Sequence, residues 1–140
     1  MRLECTDVNK AIDLEGQNKG QGTKIHMWST HGGISQKWHL VRRVFITNLA
    51  TGKMMDVAGC SKSNNTKVHL WVSNQGAAQI WGWFQTGSNG EGYLEYIHGG
   101  AQYLTLKDSK SLVIHDRKNS DSLNDQQIFK LTDKGQIMHV

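Results

Sequence analysis

The chain has no proline in 140 residues and only two cysteines, whereas glycine occurs fifteen times. Cys5 and Cys60 form neither a CxxC pair nor a spaced framework, so they read as two free thiols and not as staples of a disulfide mini-domain. Long apolar runs are missing, and no stretch approaches the ~20 residues that a membrane-spanning helix needs. The first residues, Met1-Arg2-Leu3-Glu4-Cys5, lack the apolar core of a signal peptide. Unless a leader has been removed, the expectation is a cytoplasmic protein, or one secreted by a route without a signal peptide. Runs of one charge are absent as well. Sixteen Lys and Arg against twelve Asp and Glu leave a net charge of +4, and the basic doublets Arg42-Arg43 and Arg117-Lys118 stand apart without extending into a run. That argues against a nucleic-acid-binding arm. No segment of ten or more residues holds a 3.6-residue apolar period, so helices are not expected.

What the chain does have is a copy of itself. Residues 11–40 align without a gap on residues 54–83, a step of 43, and ten of the thirty positions are identical. Ordinary composition would give roughly two. The matches include Asp13/Asp56, Gly16/Gly59, His26/His69, Trp28/Trp71, Gln36/Gln79 and Trp38/Trp81. A degraded third copy runs through Tyr103-Leu104-Thr105-Leu106, Leu112-Val113-Ile114-His115 and Gln127-Ile128-Phe129. Each copy holds short alternating strands separated by Gly/Asn/Ser loops, the pattern of an all-β barrel or sandwich. Threefold repetition selects a barrel of pseudo-threefold symmetry with four strands per lobe. We read one domain, residues 1–140, with lobes at approximately 1–42, 43–90 and 91–140.

Alternation assigns the faces. Ile12, Leu14, Ile25 and Met27 form the inward set of the first lobe, and Met55, Val57, Val68 and Leu70 that of the second. Asp13, Lys24, His26 and Trp28, like Asp56, Lys67, His69 and Trp71, are then expected to point outward. An outward Trp matched to a carboxylate in two copies suggests a sugar. The ring packs on the C–H face of a pyranose, and the carboxylate accepts two adjacent hydroxyls as charge-assisted hydrogen bonds. The imidazole supplies one further donor or acceptor. Gln36 and Trp38, Gln79 and Trp81, and Gln127 and Phe129 recur in all copies and read chiefly as scaffold. The aromatic fills the barrel floor, and the Gln satisfies backbone groups of the preceding loop.

These residues resemble the ricin-B-type β-trefoil lectins, whose lobes carry a Gln-x-Trp motif, over nearly the whole chain. Ala11-Ile12-Asp13-Leu14-Glu15-Gly16 and His31-Gly32-Gly33-Ile34-Ser35-Gln36-Lys37-Trp38 are most similar to short, leaderless fungal members. The resemblance implies an all-β β-trefoil that binds galactose- or N-acetylgalactosamine-type glycans without modifying them and without a cofactor or metal. It assigns carbohydrate contacts to Asp13, Gly16, His26, Trp28, Ser35 and Gln36 in the first lobe, and to Asp56, Gly59, His69, Trp71 and Gln79 in the second. The Asn that the family places before the motif Gln is Ser35, Ala78 and Gln126 here. Ser35 is a weaker substitute and Ala78 offers no side-chain hydrogen bond, which favours the first lobe as the tighter site. In the third lobe Thr105 replaces the Asp, Val113 the His and His115 the Trp, so that lobe is expected to be structural.

A glycosidase would need two carboxylates flanking one bond, and Asp13 and Asp56 belong to different lobes. The alternative class is a protein-interaction β-trefoil such as a protease inhibitor. That class would not require Asp, His and Trp to recur. Membrane insertion is not expected, and the sequence leaves monomer and homodimer both open.

Overall fold

The computed structural model describes residues 10–41, 45–86, 89–117 and 125–140. Twelve strands and six single-turn 3-10 segments make up the regular structure of these residues. The strands are β1 Lys10–Leu14, β2 Ile25–Ser29, β3 Trp38–Val41, β4 Phe45–Asn48, β5 Met54–Val57 and β6 Val68–Trp71. They continue as β7 Trp81–Gln85, β8 Glu91–Tyr96, β9 Gln102–Leu106, β10 Leu112–Asp116, β11 Phe129–Leu131 and β12 Ile137–His139. All pairings between them are antiparallel. No helix among the described residues is long and apolar enough to cross a membrane.

The pairing is cyclic. The hairpins β1–β2, β5–β6 and β9–β10 are equivalent, and β4 joins β5 as β8 joins β9. The C-terminal strand β12 completes the set by pairing with β1 through Ala11 and Met138. Three backbone hydrogen bonds tie the hairpins together around the pseudo-threefold axis. Met27 N–H donates to Lys110 O (2.8 Å), Leu70 N–H to Thr23 O (3.1 Å) and Ile114 N–H to Thr66 O (3.0 Å). This is a β-trefoil, the architecture that the threefold repeat and the resemblance both imply.

The core follows from the alternation. Ile12, Leu14, Ile25 and Met27 meet Met55, Val57, Val68 and Leu70 and their third-repeat counterparts Leu104, Leu106, Leu112 and Ile114. Burying each such side chain contributes about 1.5–3 kcal/mol. Trp38, Trp81 and Phe129 close the barrel floor and are at most 3% exposed. The two indoles also do a polar job. Trp38 Nε1–H donates to Ile12 O (3.0 Å) and Trp81 Nε1–H to Met55 O (3.1 Å). In each case the carbonyl belongs to the residue just before the Asp of interest, so the motif aromatic fixes the strand that presents the carboxylate.

Candidate functional site

Strand register places Asp13 opposite His26, Asp56 opposite His69 and Thr105 opposite Val113. Each pair lies on the non-core face of its hairpin, as alternation predicts. The expectation that these side chains stand in solvent needs correction. Asp13, His26, Asp56 and His69 are all less than 9% exposed. The 3-10 turns that carry the motif Gln, Ile34–Gln36 and Ala77–Gln79, fold over the outer face of β1 and β5 and cover it.

In the first repeat the carboxylate is held from three sides. Asp13 Oδ1 accepts Leu14 N–H at 2.7 Å, and Oδ2 accepts Gln36 Nε2 at 3.1 Å and His31 Nε2 at 3.0 Å. Gln36 also donates from Nε2 to Ser29 O (2.9 Å) and accepts His31 N–H on Oε1 (3.0 Å). The motif Gln therefore satisfies the loop backbone, as the sequence suggests, and orients the carboxylate as well. Gly33 N–H donates to His31 Nδ1 at 3.0 Å, which leaves the ring proton on Nε2 to be given to Asp13. Donors preorganised around a buried carboxylate fix the direction of its remaining lone pairs.

Above this carboxylate lies an open cleft of about 650 Å³. Asp13, His26 and Trp28 line it, together with Gly16, Lys24, His31 and Lys110. His26 stacks on Trp28 with centroids 5.1 Å apart and planes 9° apart. Trp28 is 45% exposed, and Lys110 Nζ sits 5.1 Å from its ring centroid. Burial holds the His26 imidazole below its ordinary pKa of 6.5, against the opposing pull of the Asp13 and Glu15 charges. It is therefore a neutral ring at neutral pH. Gly16 turns the chain at φ 62°, and its equivalent Gly59 does so at 64°, with open space where a Cβ would stand. Glycine is needed there for its backbone conformation and not because another atom crowds it.

The second repeat keeps the plan and changes a partner. Asp56 Oδ2 accepts Gln79 Nε2 (3.0 Å), but Oδ1 accepts His69 Nε2 (2.8 Å), the strand histidine. The place of His31 is taken by Asn74, whose Oδ1 accepts Gly76 N–H (2.8 Å) and whose own N–H donates to Gln79 Oε1 (3.1 Å). His69 stacks on Trp71 at 5.2 Å. Trp71 is half-buried and lies against the loop of the first repeat, where a Cβ on Gly22 would come within 3.9 Å of the ring. In the third repeat Gln127 Nε2 donates to Thr105 Oγ1 (3.1 Å) and to the His115 and Asp116 carbonyls. The scaffold role of the Gln survives there without a carboxylate to orient.

Of the residues that the sequence singles out, Asp13, Gly16, His26 and Trp28 meet at one cleft, with Gln36 behind them. Asp56, His69, Trp71 and Gln79 form the second group, beside the Gly59 turn. Ser35 does not join the first. Its Oγ is buried and without a hydrogen-bond partner, set behind the cleft in the 3-10 turn. Cys60 is a free, exposed thiol; Cys5 lies outside the described residues. Among the described residues no three His, Cys, Asp or Glu side chains gather as a metal site. The sequence comparison of copies passed over His31, because its counterpart 43 residues on is Asn74 and identity was the signal. It also passed over Lys110, which arrives from the third repeat across the pseudo-threefold axis.

Comparison with known proteins agrees with this fold. Residues 34–116, more than half of the chain, match the model of the ricin-type beta-trefoil lectin domain-like family. No match is found among curated protein sequences. Among solved structures the chain is similar to ThreeFoil, a designed 3-fold symmetric protein (TM-score 0.71, 22% identity), covering 94% of this chain and 91% of that one. It is also similar to an exo-beta-1,3-galactanase from Clostridium thermocellum (TM-score 0.72, 20% identity) over 98% of this chain and 31% of that one. The hemolytic lectin CEL-III matches with TM-score 0.68 and 18% identity over 89% of this chain and 30% of that one. The chain thus spans about a third of the length of the last two, and at these identities the likeness concerns the fold. By the family model, the motif residues and the architecture together, the chain belongs to the ricin-type β-trefoil lectin domain-like family.

Proposed function

We propose that the protein is a lectin that binds galactose- or N-acetylgalactosamine-type glycans without catalysis, through its first and second repeats. The observation that carries this reading is the buried, Gln-anchored carboxylate beside a histidine-stacked tryptophan, built twice on equivalent strands and absent from the third repeat. A pyranose resting on Trp28 or Trp71 would offer its C–H face to the ring and two adjacent hydroxyls to the Asp. The backbone turn at Gly16 or Gly59 would approach it without a side chain in the way. Catalysis finds no support in the placement of Asp13 and Asp56, which serve separate repeats and so cannot flank one glycosidic bond. Two sites facing different directions would let a single chain cross-link glycans and gain avidity beyond either site.

Calorimetric titration with galactose and with N-acetylgalactosamine should give saturable binding with two sites per chain. Asp13→Asn and Asp56→Asn should each remove one site, and the double variant should remove both. A chain that ignores both sugars and binds a mannose series would overturn the sugar class. Binding retained by the folded double variant would overturn the site.

A further inference from the structure

We propose that the first-repeat cleft selects galactosides carrying an anion, a sulfate ester or a carboxylate, and that Lys110 is the residue that reads it. The inference rests on the cleft being a sugar site and adds the class of sugar. Lys110 is delivered there by a rigid turn. Asp108 Oδ1 accepts the N–H groups of Lys110 and Ser111, both at 2.8 Å, and its Oδ2 accepts the Ser111 hydroxyl at 3.0 Å. Those bonds hold the Asp108 carboxyl below the usual carboxylate range, so the turn stays charged and closed. On its other side the Lys110 carbonyl accepts Met27 N–H (2.8 Å). With its backbone pinned on both sides, Lys110 extends its ammonium over the Trp28 ring, 5.1 Å from the centroid.

That position is in competition with a sugar. A neutral pyranose stacking on Trp28 displaces the ammonium from the ring face and offers it only hydroxyls in return. A sulfate or carboxylate on the same sugar gives the displaced ammonium a charge-assisted partner. Lys24 lines the same cleft and can serve the same anion. The cleft does not end at Trp28. His31 is shared with a second cleft of about 540 Å³ that carries Lys37 and Lys134 on its walls. Lysines along this path outnumber the carboxylates Asp13, Glu15 and Asp133 by four to three. Among the described residues no cation sits over the ring of Trp71 in the second repeat. The backbone site that Lys110 fills around the threefold axis belongs to Thr23 there.

The test uses the intact chain carrying Asp56→Asn, so that the first repeat alone is read. Its ligands are lactose, lactose sulfated on its galactose, and lactose capped with sialic acid. At low salt at least one charged ligand should bind about tenfold tighter than lactose, with the advantage shrinking as salt is added. The arm that gains identifies sulfate or carboxylate as the anion. Lys110→Met, which keeps the aliphatic stem, should bring the charged-to-neutral ratio close to one. Equal affinity for all three ligands overturns the inference and leaves the sugar site standing. So does a ratio untouched by Lys110→Met. Failure of the folded chain to bind any of the three overturns the sugar site and the inference with it.

Discussion

The first and second repeats are the two regions most alike in this chain, and their candidate sites differ where alignment shows least. Both hold an Asp by a Gln and stack a His on a Trp. Yet the imidazole that donates to the carboxylate comes from the loop in one, His31, and from the strand in the other, His69. Trp28 looks out beside a lysine from the third repeat, whereas Trp71 rests against the Gly22 loop of the first. The imidazole exchange arises within each repeat, where Asn74 stands in place of His31, whereas for the tryptophans the reason is rotational. Each site is roofed by the next lobe around the axis, and those lobes are unequal. The loop between Thr105 and Val113 is five residues shorter than the one between Asp13 and His26. A repeat can copy its own residues; it cannot copy its neighbours.

The largest expected effects test what the repeats share. Trp38→Ala and Trp81→Ala should each destabilise by about 3–5 kcal/mol in denaturant unfolding, as for buried large aromatics that leave a cavity. Equal losses would confirm that the floor is symmetric. A loss under about 1 kcal/mol at either would break the equivalence, because a surface substitution costs that little.

A smaller effect should separate the lobes. Asp13→Ala and Asp56→Ala each strand donors that had a carboxylate, at about 1–3 kcal/mol for a buried unpaired group. The second should cost more. The His69 side chain is 10% exposed, whereas that of His31 is 36% exposed and can turn to water. Similar melting temperatures for the two variants would contradict the partner exchange seen at the two carboxylates. The aromatic pair should divide the same way. Trp71→Ala should cost about 1–2 kcal/mol for its half-buried area, and Trp28→Ala less than about 1 kcal/mol. A reversal of that order would mean that Trp28 is the packed ring.

The smallest effect concerns protonation. Burial lowers the folded-state pKa of His26 below 6.5, so in a window beneath 6.5 the unfolded chain binds a proton that the folded chain refuses. Stability from this group is unaffected above 6.5 and falls as pH drops through the window, levelling off below the folded pKa. His26→Gln should remove that loss, so the variant's unfolding free energy should decline less than the wild type's between about pH 7.5 and about pH 5. Parallel declines would show that His26 titrates alike in both states.

The barrel, its twelve strands and its inward side chains were legible because a strand's period of two is local, and because the repeat states it more than once. The second strand starts at Ile25, and Thr23 just before it supplies its carbonyl to Leu70 of the second repeat. The Asp, His, Trp and Gln positions were legible for the same reason of repetition. Their exposure was not. Alternation tells which face a side chain takes but not what lies over that face, and here the 3-10 turns cover Asp13 and Asp56. Ser35, beside the motif in sequence, has a buried hydroxyl without a hydrogen-bond partner and does not line the cleft.

By itself the sequence determined the fold and the identity of the paired residues, since alternation, turn glycines and a 43-residue step act over a few neighbours at a time. Only the tertiary structure decided that His31 would hold Asp13 and His69 would hold Asp56, and that Lys110 would reach Trp28 from another repeat. The histidine contacts depend on how the loop and the paired strands of each repeat fold over its Asp, and the Lys110 contact on how three unequal hairpins close around one axis and bring together residues far apart in the chain.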